Sequence, residues 1–138
     1  MSAEEIVAEL RSAVPLVVPS LLASDFGNLE REIHRLEEAG AQALHLDVMD
    51  GHFVPNLSIG FPIIKAVRRA THLPLDVHLM ISEPERYLEQ FREAGADAIT
   101  IHIEVAPDPR PLLDRIRRLG ALAGLTLNPS TPVHAVEP

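Results

Sequence analysis

Two stretches decide the fold: EEAGAQALHLD (residues 37–47) and REAGADAITIH (residues 92–102). Each ends a charged, helix-patterned segment on a glycine and passes within three residues into an apolar run. They are the same helix–glycine–strand unit, about two such units apart along the chain. A glycine just past the last helical residue is the usual helix stop. A short run of Val, Ile and Leu directly after it reads as a strand.

Working outward, the pattern repeats. Apolar runs occupy 16–23, 43–49, 74–80, 98–104 and 121–128, which predicts five strands. Helical periodicity fills 28–40, 61–71, 84–95 and 109–120, with Leu29, Ile33 and Leu36 on one face of the first and Tyr87, Leu88 and Phe91 at helical spacing in the third. Gly40, Gly95 and Gly120 stand at helix ends, and Pro62, Pro84, Pro109 and Pro111 near helix starts, where a missing N–H leaves nothing unpaired. Strands alternating with helices at this spacing mean βαβ units and a parallel sheet. No glycine-rich phosphate loop follows the first run, which weakens a dinucleotide-binding fold. Polar residues gather instead at the C-terminal ends of several strands, which favours an α/β fold of the TIM (β/α)₈ barrel family. Such barrels take about 200–250 residues, so 138 residues with five strands and four helices predict an incomplete barrel, preceded by a helical extension over 1–14.

Composition narrows the function. A net charge of −8 with acids and bases intermixed argues against nucleic acid or an anionic membrane as partner. It leaves room for a phosphorylated substrate, because backbone N–H groups bind phosphate without lysines. There is no cysteine, so no disulfide is expected. The acidic start MSAEEIVAEL lacks the basic flank of a secretory signal, and no apolar run reaches membrane-spanning length, so a cytoplasmic protein is expected.

The second run breaks the apolar rule. In LHLDVMDGHFVPN (residues 44–56), strand alternation puts His45 and Asp47 on one face and Leu44, Leu46 and Val48 on the other. The next strand repeats this with Asp76 and His78, and the fourth has Thr100, His102 and Glu104 in one phase. With the apolar phase under the helices, these polar groups face the barrel axis. Imidazole and carboxylate suit a borderline divalent ion such as Zn²⁺, Fe²⁺, Mn²⁺ or Co²⁺. His45, Asp47 and His78 could converge as three ligands, and Asp47 could also serve as base in a proton transfer next to a carbonyl. His102 and Glu104 read as hydrogen-bonding partners nearby, while His34, His52, His72 and His134 read as loop or surface residues.

Four blocks, VPSLLASDFGNL, LHLDVMDGHFVPNLSIG, LDVHLMISEPERYL and HIEVAPDP, with LNPSTPV as a weaker fifth, closely resemble the ribulose-phosphate 3-epimerases. The resemblance runs from Val14 onwards. It implies the N-terminal portion of a ribulose-phosphate-binding TIM barrel that interconverts D-ribulose 5-phosphate and D-xylulose 5-phosphate at C3, an isomerase of the pentose phosphate pathway. By the same resemblance one divalent ion is held by His45, Asp47 and His78, and Asp47 is the base. Ser20, His78, Met49 and Met80 touch the substrate, while Gly51 and Pro55 shape the rim, with Asp50 and His52 in shaping roles. The family's second aspartate, in an Asp-Gly-Gly context, and its glycine-rich phosphate loops have no counterpart here. A truncated, inactive fragment is therefore expected, whose open edges favour a homo-oligomer. Two other readings share the strand motifs: an epimerase of a hexulose phosphate such as allulose 6-phosphate, and a non-catalytic half-barrel that binds metal or a partner.

Overall fold

The computed structural model describes residues 5–8 and 15–137. Its centre is one parallel four-stranded sheet in chain order: β1 (Leu44–Met49), β2 (Leu75–Met80), β3 (Ala98–His102) and β4 (Leu122–Thr126). Four helices follow the predicted segments: α1 (Leu29–Glu38), α2 (Phe61–Ala70), α3 (Leu88–Ala94) and α4 (Arg110–Arg118). Residues 5–8 form a helical turn that buries Ile6. The rest of the extension expected over 1–14 lies outside the described residues.

One predicted strand is not there. Among the described residues, 16–23 make no ladder. Pro19 has no N–H and offers only its carbonyl, which accepts from His45 N–H at 2.9 Å. A single parallel bridge then joins Ser20 to His45. Immediately afterwards the Ser20 hydroxyl accepts from Leu22 N–H and starts a 3₁₀ turn, Leu21–Ala23. The run touches the edge of β1 at one residue and leaves it, so the sheet has four strands where five were expected.

Alternation within the strands divides the sheet as the pattern requires. Leu44, Leu46 and Val48, Leu75, Val77 and Leu79, and Ile99 and Ile101 are all buried. They pack with Ile33 of α1, Ile64 and Val67 of α2, Leu88 and Phe91 of α3, and Ile116 of α4. Each such side chain contributes about 1.5–3 kcal/mol when fully removed from water. The strands run in register, with His45 beside Asp76, Asp47 beside His78 and Met49 beside Met80. One register therefore brings the polar phases of β1 and β2 together.

Two glycines are needed where they stand. Gly95, at the end of α3, has φ 122°, and a Cβ there would also run into the Arg68 side chain. Gly124 lies opposite Thr100 in the β3–β4 ladder, and a Cβ would overlap the Thr100 hydroxyl. A larger residue at 124 would require Thr100 or the facing backbone to shift.

Candidate metal centre and proton-transfer site

His45, Asp47 and His78 each bring a ligand-capable atom within 4.8 Å of the others. His45 Nε2 lies 3.2 Å and His78 Nδ1 3.3 Å from the same oxygen, Asp47 Oδ1. The other carboxylate oxygen, Oδ2, accepts from the Ser20 hydroxyl at 2.7 Å. All three side chains are largely but not fully buried, at 26%, 15% and 20% exposed. A small species could thus reach them from the open side. Two imidazole nitrogens and a carboxylate oxygen are a suitable donor set for a borderline divalent ion.

Each member is held by a partner of its own. Asp76 Oδ2 sits 2.8 Å from His45 Nδ1, so that nitrogen carries the hydrogen and Nε2 is the atom turned toward Asp47. The same carboxylate raises the His45 pKa above the ordinary value against opposing burial, with Asp47 adding to the lift. Burial, then the neighbouring His102, pushes His78 down and favours a neutral ring. Partial burial works to raise the Asp47 carboxyl, but the Ser20 hydroxyl and the two imidazoles outweigh it and hold the group ionised.

The loop after β1 folds back over this end of the sheet. Asp50 accepts from the N–H groups of His52, Phe53 and Ser82, each at 2.8 Å. One carboxylate thus ties the β1 loop to the β2 loop. Burial opposes its charge, but the three amides bring its pKa down to about 2. Ser58 donates to the Asp47 carbonyl and accepts from Met49 N–H, which fixes the backbone on either side of Val48. Met49 and Met80 end β1 and β2 side by side, half-buried. Gly51 and Pro55 lie exposed in the loop.

His34, His52, His72 and His134 are all exposed, as read from the sequence. His102 is buried, with Nε2 2.8 Å from His78 Nε2 and Nδ1 3.1 Å from Glu104 Oε2. Glu104 is not in the strand phase of Thr100 and His102, because β3 ends at His102 and Ile103–Val105 is a 3₁₀ turn. The Asp76–His45 contact does not follow from the pattern of either strand by itself. Only the strand register places them opposite each other. A cavity of about 540 Å³ lined by Phe61, Tyr87 and Phe91 lies beside the β1 and β2 loops. It includes Met49 but none of His45, Asp47 or His78, so it is separate from the cluster.

Comparison with known proteins bears on the family and the fold. A profile of the Ribulose-phosphate 3 epimerase family matches residues 16–138. The ribulose-phosphate 3-epimerase of Bacillus subtilis (strain 168) is 51% identical over 121 residues, covering 88% of this chain and 56% of that protein. The enzyme of the same name from Treponema pallidum (strain Nichols) is 52% identical over 120 residues, covering 87% and 55%. A rice relative (Oryza sativa subsp. japonica) named as a cytoplasmic isoform is 46% identical over 128 residues, covering 92% and 56%. The chain thus spans about half the length of the curated relatives it matches. Tryptophan synthase subunit alpha from Legionella pneumophila str. Paris superposes with a TM-score of 0.67 at 14% identity, covering 98% of this chain and 62% of that one. At that identity the likeness speaks for the fold alone, a TIM barrel of which this sheet is a part. Taken with the matched profile and the half-identical relatives, the strand-end cluster and the parallel sheet leave one assignment: this chain belongs to the ribulose-phosphate 3-epimerase family.

Proposed function

We propose that this chain is part of a ribulose-phosphate-binding TIM barrel that moves the C3 proton of D-ribulose 5-phosphate to give D-xylulose 5-phosphate. The observation that carries the reading is the convergence of His45 Nε2, Asp47 Oδ1 and His78 Nδ1. These three would hold one divalent ion, Zn²⁺, Fe²⁺, Mn²⁺ or Co²⁺. When bound, the ion supplies positive charge that stabilises the enediolate left when C3 loses its proton.

The chain's own residues do the rest. Asp47 takes the C3 proton. The Ser20 hydroxyl, hydrogen-bonded to Asp47 Oδ2, keeps the carboxylate in one orientation and lies against the substrate. Asp76 holds the His45 ring so that Nε2 faces inward, and any proton on that nitrogen is released when the ligand set is filled. His78, Met49 and Met80 face the substrate, the two methionines as an apolar wall that limits water around the reacting carbons.

Epimerisation also needs an acid on the opposite face. Nearby carboxylates are committed elsewhere: Asp76 to His45, Asp50 to three loop amides, and Glu104 to His102, Asn128 and Thr131. The pentulose phosphate is proposed ahead of a hexulose phosphate because the relatives carry that substrate in their names. A cytoplasmic location is proposed on the rice relative's name and on the absence, among the described residues, of a helix long and apolar enough to cross a membrane. The net charge of −8 supports a protein that binds neither nucleic acid nor an anionic membrane. A homo-oligomer is supported by the exposed side chains of Val17, Leu22, Phe26, Leu57 and Val133. Sedimentation at increasing concentration would reveal it.

The test is ribulose 5-phosphate in D₂O with added Mn²⁺, Fe²⁺ or Zn²⁺, followed by NMR at C3. Metal-dependent deuterium uptake at C3 is expected, and Asp47→Asn should slow it by about 10²–10⁴-fold. Exchange that survives in Asp47→Asn would overturn the assignment of the base.

A further inference from the structure

We infer that Glu104 and His102 form a relay that fixes the tautomer of His78, so that its Nδ1 presents a bare lone pair to the metal cluster. This builds on the proposed metal reading and adds two positioning residues to it. His102 is 4% exposed, with Phe53 against its ring at 4.7 Å between centroids and the His78 ring within 19° of parallel. A buried imidazole in such a place has no solvent to satisfy it, so its two nitrogens must find partners in the protein.

The direction of the relay follows from its far end. Glu104 Oε1 accepts from Asn128 N–H at 2.6 Å and from the Thr131 hydroxyl. A backbone N–H can only donate, so this end of Glu104 is an acceptor. Burial works against its charge, but these donors and His102 outweigh it and bring the carboxyl down to about 2, so both oxygens accept. His102 Nδ1, 3.1 Å from Oε2, then carries the hydrogen. We take this as the ring's single hydrogen, since a second one on Nε2 would be aimed at His78 Nε2 and would move the His78 hydrogen to Nδ1; Nε2 is then bare. Across the 2.8 Å Nε2–Nε2 contact one nitrogen must donate, and the donor is His78 Nε2. His78 Nδ1 is then without hydrogen and faces Asp47 Oδ1 at 3.3 Å. Two acceptors at that separation call for a cation between them. The arrangement parallels Asp76 on His45: each histidine ligand has its outer nitrogen tied to a carboxylate, directly on β1 and through a second ring on β2. Such outer partners typically change metal affinity about 10–100-fold when removed.

The relay makes a specific substitution informative. In Glu104→Gln the carbonyl is required by Asn128 N–H, so the NH₂ faces His102 Nδ1. That reverses both rings and puts a hydrogen on His78 Nδ1. In His102→Gln the amide can donate to Glu104 and accept from His78, which keeps the direction.

The measurement is ¹⁵N–¹H NMR of the histidine side chains in the metal-free protein, paired with Zn²⁺ titration against a competing chelator. Wild type should show hydrogen on His102 Nδ1 and His78 Nε2. Glu104→Gln should show both tautomers reversed and bind Zn²⁺ about 10–100-fold more weakly, while His102→Gln stays within a few-fold of wild type. Hydrogen on His78 Nδ1 in the wild type would overturn the relay without recourse to any variant. So would a folded Glu104→Gln protein with unchanged tautomers and affinity. Wild-type protein with the expected tautomers that takes up no Zn²⁺ would uphold the relay and overturn the metal reading instead.

Discussion

The two ends of the same strands treat a carboxylate in opposite ways. Asp47, near the C-terminal end of β1, and Asp97, just before β3, have nearly equal side-chain exposure, 15% and 13%. Asp97 is surrounded by obligate donors: Arg68 at 2.9 Å, Arg92 at 3.3 Å and Leu75 N–H at 3.0 Å. The guanidiniums are used up in turn, Arg68 on the carbonyls of Thr71 and Leu73 and Arg92 on those of Ala96 and Leu119. Asp47 is instead faced by ring nitrogens that have other places for their hydrogens. Burial therefore does not set apart Asp47, the carboxylate proposed as the base. What marks it is a local excess of acceptors over fixed donors, which an ion or a substrate proton can fill. In barrels of this kind chemistry gathers at the C-terminal strand ends and stability at the N-terminal ends, and here the hydrogen-bond inventory gives the reason.

Three substitutions or conditions test that contrast, beginning with the largest effect. Asp97→Ala leaves two largely buried guanidiniums and an amide without their acceptor. A loss of about 3–5 kcal/mol of folding stability is expected, read from the shift in urea midpoint, while Zn²⁺ affinity of the protein that remains folded stays unchanged. Asp76→Asn should do the reverse. Its amide oxygen can still accept from His45, so stability falls little, but the ring loses the carboxylate that raises its basicity, and metal affinity should drop about 10-fold or more by competition titration. A large stability loss there with affinity intact would break the contrast.

Acid pH gives the smallest effect. Asp50 and Glu104 sit at about 2 in the folded chain, below ordinary values of 3.8 and 4.5. Above those ordinary values the carboxyls are ionised folded or unfolded, and their stabilisation is fully present. As pH falls toward about 2, the unfolded chain takes up protons that the folded one refuses, and the stabilisation is lost. Urea midpoints should therefore fall more steeply between pH 5 and pH 2 in wild type than in Asp50→Ala. Parallel slopes would mean the loop amides contribute nothing measurable.

Much of this was legible in the sequence, for identifiable reasons. β1 and β2 were readable because Leu44, Leu46 and Val48 alternate with polar residues, as do Leu75, Val77 and Leu79, and a one-residue slip would turn every one of them to the wrong face. The same alternation put His45, Asp47 and His78 on one face. The stretch 16–23 reads as a strand on its apolar content. Pro19 and the capping hydroxyl of Ser20 decided otherwise, which composition alone does not reveal. The partners of the cluster were hidden for a different reason. Asp76 reaches His45 only through the register of two strands, and Glu104 finds Asn128 and Thr131 only because the chain returns beside β3 after α4. Local pattern gives the face of a strand, whereas the hydrogen-bond partner of a group on that face comes from elsewhere in the chain.

The central claim is that three side chains on two adjacent strands hold one ion. Anomalous diffraction from crystals of the protein soaked in Zn²⁺ tests it most directly. The account predicts a single strong peak, about 2.0–2.2 Å from His45 Nε2, an Asp47 carboxylate oxygen and His78 Nδ1. A peak that ligates through other residues, or fully occupied Zn²⁺ sites that leave these three atoms bare, would contradict it.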